Sequence, residues 1–174
     1  MTRRLIGVAL ALGSLAAALA ATPIPSRAAS SSSNALKWPP WLSIEWPINP
    51  YDRSNRDALL LVHAAMRGAV PTANDLSGSA EGIVNGARRT VALRFDATSE
   101  PGVFALRRQW PADGAWLLRI TLRNETTALV SLDRMGAVAS VDVPMQATSG
   151  GRIPRAVAPR EIDSAVAVLA SRPR

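Results

Sequence analysis

The chain contains no cysteine and a single histidine, His63, in 174 residues. The first absence excludes disulfide staples and lipid attachment through a cysteine thioether. The fold must then be held by a buried core, and a mature domain of roughly 115 residues is large enough to form one. The second absence thins out catalytic and metal chemistry. A Ser-His-acid triad would have to use His63, and a zinc site would need three or more carboxylates or waters. His63 lies inside an apolar run, which reads as a packed or rim histidine, and in a strand Met66 would point to the opposite face. Gly78-Ser79-Ala80-Glu81-Gly82 has the outline of a nucleophile elbow, but Ala80 stands where the serine belongs. Asp52, Asp57 and Asp75 sit in loop-like segments without EF-hand spacing, and no glycine-rich phosphate loop is present. Lysine is scarce too: of the 20 basic residues only Lys37 is not arginine. Such a bias follows genome base composition and is no functional signal in itself.

What is present begins with an export signal. Arg3 and Arg4 precede an uncharged stretch from Leu5 to Ala21, and Pro23 and Pro25 stop it. Small residues at Ala18 and Ala20, and at Ser26 and Ala28, offer two cleavage sites. A retained anchor is the competing reading, but the stretch is short and rich in Ala and Gly for a bilayer span. Residues 1–29 are therefore expected to be a signal peptide, leaving a periplasmic or extracellular protein with no stable membrane anchor. The formal charge is +7, and loss of Arg3, Arg4 and Arg27 reduces it. A modest basic excess in an exported protein favours anionic envelope surfaces over nucleic acid, and a soluble charged surface accounts for it more simply.

Residues 30–35, with their serine run, read as a linker, and residues 146–174 as a second linker followed by a short helix. Between them, residues 36–145 carry the punctuation of a β protein. Trp41 to Trp46 reads as an edge strand closed by Pro47. Ala58 to Met66 reads as a central strand covered on both faces. Leu76 to Val84 is glycine-rich, with a bulge expected at Gly78 or Gly82. Asn85-Gly86 is the strongest hairpin signal, because both central residues of a type I′ turn need positive φ. Arg88 to Phe95 follows. Val103 to Trp110 and Ala115 to Arg123 read as a hairpin, the second strand alternating Trp116, Leu118, Ile120 and Leu122 with Leu117, Arg119, Thr121 and Arg123. Asn124 to Thr126 reads as a turn, and strands at Thr127 to Leu132 and Ala137 to Val143 complete a set of about eight. The expected fold is all-β, an immunoglobulin-like antiparallel β-sandwich of about 7–8 strands. Phe95, Phe104, Leu106, Trp116, Leu118 and Ile120 are its expected core. Ile162, Val166 and Leu169 share one helical face in the tail; a helix so short needs a surface to dock on, in this chain or another.

The stretch Pro101-Gly102-Val103-Phe104-Ala105-Leu106, with Trp110-Pro111-Ala112-Asp113-Gly114-Ala115-Trp116-Leu117-Leu118-Arg119-Ile120, resembles the penultimate hairpin of bacterial exported immunoglobulin-like domains. These include the FixH/YtkA-like group and, more distantly, CopC-like copper-resistance sandwiches. The resemblance covers about 20 residues specifically and implies the fold. The copper binding of those sandwiches does not carry over, since His and Met clusters, or a histidine at a mature terminus near Ala21 or Ala29, have no counterpart here.

The remaining unusual feature is aromatic: Trp38-Pro39-Pro40-Trp41 and Trp46-Pro47. Trp38 and Trp41 are the candidate partner or ligand surface, because exposed tryptophan stacks on sugars and forms hot spots. The structural alternative, and the favoured one, is that these rings pin the N-terminal strand across the sandwich. The functional expectation is an exported, non-catalytic envelope protein, an interaction or assembly module for another envelope protein, with no cofactor. The alternative is a small-ligand sandwich for carbohydrate or a metal ion. Equilibrium dialysis of the purified protein is expected to find no stoichiometric copper or zinc. One tightly bound ion per chain, lost on His63→Ala, contradicts this reading.

Overall fold

The computed structural model describes residues 38–171; the expected signal peptide and the linker over 30–35 lie outside them. The described residues belong to one compact unit. Its strands are β1 (Trp41–Glu45), β2 (Leu60–Ala65), β3 (Leu76–Val84), β4 (Ala87–Ala92), β5 (Asp96–Ala97), β6 (Val103–Leu106), β7 (Ala115–Leu122), β8 (Thr126–Leu132), β9 (Val138–Asp142), β10 (Met145–Thr148) and β11 (Gly151–Pro154), followed by helix α1 (Pro159–Ser171). One antiparallel sheet has the order β1-β2-β6-β5 and the other β4-β3-β7-β8-β9. These are the two sheets of an immunoglobulin-like sandwich, with β9 added at the edge of the second.

Period-two alternation builds the core. Leu42 of β1, Leu60 and Val62 of β2 and Phe104 and Leu106 of β6 face inward from one sheet. Trp116, Leu118, Ile120 and Leu122 of β7, with Ala128 and Val130 of β8, face them from the other. Phe95 and all the other expected core residues are buried. Each fully buried large side chain stabilises the fold by roughly 1.5–3 kcal/mol. The central strand β2 is covered on both faces, since Leu61 packs outward with Val103, Ala105, Ile48 and Ala58.

Four details differ from the sequence expectations. The strand at Val103 does not form a hairpin with the one at Ala115. β6 pairs with β2 and β5, β7 pairs with β3 and β8, and the chain between them crosses from one sheet to the other. Alternation reports which face a residue occupies, not which sheet its strand joins. No bulge interrupts β3, whose register against β4 and β7 is continuous. Its glycines serve close approach instead: a Cβ on Gly82 would lie 2.5 Å from Trp116 Cε3, and one on Gly78 2.6 Å from the Arg119 carbonyl oxygen. The irregularity lies at Ser131/Leu132, between β8 and β9. The stretch over 146–159 is not a plain linker, because β10 and β11 form a hairpin across it. With that hairpin apart, the sandwich has nine strands among the described residues, the short β5 being the one alternation could not show. The Asn85-Gly86 turn is as expected, with φ of 51° and 79°.

Helix α1 docks on its own chain. Ile162, Val166 and Leu169 bury against Leu117, with Ile83, Ala115, Leu129 and Val157 around them, on the outer face of the second sheet. Pro159 suits the first helical position because it has no N–H to leave unbonded. Glu161 reaches back to accept the Ala158 N–H, half of a capping box. It also pairs with Arg155, with Nη2 2.6 Å from Oε1. Arg88 bridges the helix to the sheet through Asp163 and Glu81.

Two predictions follow from this packing. Trp116→Ala should cost about 3–5 kcal/mol and Gly82→Ala about 1–3 kcal/mol through overpacking, both read by urea unfolding. The double variant should lose less than the sum, because removing the ring relieves the ring's share of the clash and leaves only the Ala115 carbonyl oxygen, 2.7 Å from the added Cβ; strict additivity would show that the glycine serves that backbone contact and not the ring. The second concerns Glu161, whose carboxyl Arg155 holds at about 2, below its ordinary 4.5. A lowered folded-state pKa contributes stability above the ordinary value that is lost as pH falls toward the folded one. Glu161→Gln should therefore lower the melting temperature at neutral pH, and the gap should close between pH 4.5 and about 2. A gap that persists at the acid end contradicts the pairing.

Candidate binding surface

Strand β1 is an edge: among the described residues it pairs only with β2. Leu42 and, half-buried, Ile44 point into the core, so Trp41, Ser43 and Glu45 take the outer face. Pro39 and Pro40 precede the strand and Pro47 follows it, after a cis Trp46-Pro47 bond. The Thr126 hydroxyl of β8 donates to the Pro40 carbonyl and ties the strand's entry to the opposite sheet. Anchoring thus comes from Leu42 and this hydrogen bond. The tryptophans do not pin the strand: Trp38 is 63% exposed, Trp41 51% and Trp46 45%. The pinning expectation is corrected on this point. Alternation had placed Trp41 opposite Leu42, which holds, but could not show that its face is left open there.

Trp38 and Pro40 form one wall of a cleft of about 390 Å³ whose other lining residues are Met66, Arg67, Arg123 and Glu125. Arg123 takes a left-handed conformation, φ 50°, at the β7–β8 turn. That turn lies one residue earlier than the Asn124–Thr126 expectation, over residues 123–125, with Arg123 and Asn124 as its left-handed pair. The Arg123 side chain lies 3.4 Å from Asp75 and 3.9 Å from the Met66 sulfur. The Asp75 carboxyl is lowered chiefly by the Thr72 backbone N–H, then by the Thr72 hydroxyl, with Arg123 adding a smaller share. Trp41 lies outside the cleft lining, so Trp38 and Trp41 offer separate contact points.

The outer face of β1 and β2 also brings three chemically suggestive groups together. Ser43 sits directly across from His63 in the register, and His63 Nε2 lies 2.8 Å from Glu45 Oε2. Histidine and glutamate are each about a third exposed, so His63 is a rim residue paired with a carboxylate. Neither the Trp38 cleft nor the smaller cleft lined by Arg119 on the other sheet includes the trio. The loop carboxylates do not converge. Asp52 accepts from Ser54 and Asn55, Asp57 holds Arg107, and Asp75 holds Thr72 and Arg123. Among the described residues no group of three or more potential metal ligands forms. Ser79 is buried in β3, in the sheet opposite His63.

The outer face of the second sheet carries a feature that residue-by-residue reading missed. Ser77, Arg119, Thr121, Asn124 and Thr127 line a cleft of about 160 Å³, closed on one side by Ala156 and Val157. An arginine in mid-strand, at an outward position with hydroxyls around it, was the available signal. Comparison of the chain with family models, with curated proteins and with solved structures yields no match.

Proposed function

We propose that this chain is an exported, non-catalytic envelope protein that recognises a protein partner through the tryptophans flanking β1. The observation that carries the reading is the exposure of Trp38, Trp41 and Trp46 within nine residues at a sheet edge. Tryptophan brings large contact area with few rotatable bonds, and it dominates interface hot spots. The prolines on both sides keep the open edge short, which limits indiscriminate strand pairing and leaves recognition to side chains. The non-catalytic part rests on His63, whose partner is Glu45 and not the hydroxyl of Ser43. The export part rests on residues 1–29, and among the described residues no helix is long and apolar enough to cross a membrane. A second reading has its own observation. Trp38 shares its cleft with Arg67, Arg123 and Glu125, an aromatic face beside charged groups that suits a carbohydrate.

Pull-down from envelope extract tests the first reading. A defined partner should be retained by the wild-type chain and by Tyr51→Ser, which removes an exposed aromatic elsewhere. The Trp38→Ser/Trp41→Ser double variant should lose it by about tenfold or more, the range of an interface hot spot. Equal retention by the double variant would rule out this surface. Quenching of tryptophan fluorescence by oligosaccharides, abolished by Trp38→Ser alone, would favour the carbohydrate reading instead.

A further inference from the structure

The geometry points to an oxyanion-binding site in the Arg119 cleft on the outer face of the second sheet, taking a phosphate-type group. Three arginines are half-buried among the described residues: Arg107, Arg119 and Arg155. Arg107 is held by Asp57 and Asp96, and Arg155 by Glu161. Among the described residues Arg119 forms no ion pair, and its Nε is shut off from solvent with no hydrogen-bond partner. A guanidinium is always charged and carries only donors, so leaving its Nε–H desolvated and unbonded is costly.

The cleft's other residues supply more donors. Thr121 and Thr127 are buried, at 8% and 2% exposure, with their hydroxyl oxygens 3.3 Å apart. Thr127 Oγ1 also accepts the Val157 N–H at 3.4 Å. Whichever threonine donates to the other, one hydroxyl proton of the pair is left without an acceptor in that contact. Ser77 and Asn124 add a hydroxyl and an amide at the rim. No carboxylate lines the cleft, and two carboxylates of the same sheet and helix are already engaged, Glu81 by Arg88 and Glu161 by Arg155. A positive fork with neutral hydroxyl donors and no competing carboxylate is the chemistry that holds phosphate oxygens. At about 160 Å³ the cleft has room for about five waters of ~30 Å³ each, which suits one tetrahedral group, with the rest of a larger ligand lying outside it.

Isothermal titration of the purified chain with inorganic phosphate at low ionic strength tests the site. The expected result is saturable binding at one site per chain, weakened by about tenfold or more in Arg119→Gln, as expected for losing charge-assisted hydrogen bonds, and more mildly in Thr121→Val. Arg152→Gln, on the exposed β10–β11 hairpin, should bind as the wild type does. Sedimentation with phosphatidylglycerol vesicles, against phosphatidylcholine alone, separates the sources. Arg119-dependent retention on the anionic vesicles assigns a lipid headgroup, and phosphate binding without retention assigns a free phosphate compound. Phosphate binding of equal strength in Arg119→Gln and Thr121→Val overturns the site. So does a wild-type chain that neither saturates with phosphate nor shows Arg119-dependent vesicle retention.

Discussion

The ring of Trp116 lies over the bare backbone of Gly82, where a Cβ would come within 2.5 Å of it. Such an approach fixes β7 against β3 at one register. Because side chains alternate strictly, a slip of one residue would turn every inward group outward. Trp116, Leu118, Ile120 and Leu122 would leave the core, and Arg119 would enter it. With no disulfide available, this contact and the apolar faces around it do the work that a covalent bridge does in many sandwiches of this kind. The positions of all outward residues on the second sheet follow from the same register. Ser79 stands beside Arg119, and Ser77 and Thr127 flank Thr121.

The two outer faces are covered differently, and this difference decides where chemistry can sit. On the first sheet, the loop before β2 lays Ile48 and Ala58 over Leu61, Val103 and Ala105. The cover ends before Trp41, Ser43 and His63. On the second sheet, α1 covers Leu117 and its neighbours. The segment leading to it walls off Arg119 with the threonines, and burial there turns a surface arginine into a half-buried one. The first face is therefore apolar where the chain crosses it and polar or aromatic where the chain stops short, whereas on the second the segment before α1 also crosses a polar strip.

Much of the sandwich was legible in the sequence because alternation and turn chemistry are local. The β7 pattern, the Asn85-Gly86 turn and the apolar run at β2 each correspond to an observed element. What was not legible depends on partners distant in sequence. The pattern at Val103–Leu106 is the same whether the strand joins β2 or β7, and glycines in β3 signal a bulge as readily as a ring seat. The β10–β11 hairpin was hidden because Gly150, Gly151 and Pro154 break the alternation that marks a strand. Exposure of Trp38 and Trp41 was undecidable from spacing, since an outward residue is buried or open according to what the rest of the chain lays over it. The Arg119 cleft was missed for the same reason: its walls come from β3, β7, β8 and residues 156–157.

Helix α1 rests on a small apolar cluster that is separate from the main core. Units of that kind open independently of the whole domain, with a free energy set by their own contacts. Amides of α1 should then exchange with solvent by a sub-global route, faster than those of β7 and β3. The Ala156–Val157 wall borders the Arg119 cleft and leads directly into this helix. Val157 is held both by Thr127 and by the helix cluster, so if opening of the helix carries that wall away, a group in the cleft binds only the fraction of molecules in which the helix is seated, and its apparent affinity falls in proportion to that fraction. The resting equilibrium of thirteen residues at the end of the chain thereby becomes a rheostat for a site whose charge is supplied from the middle of the sheet.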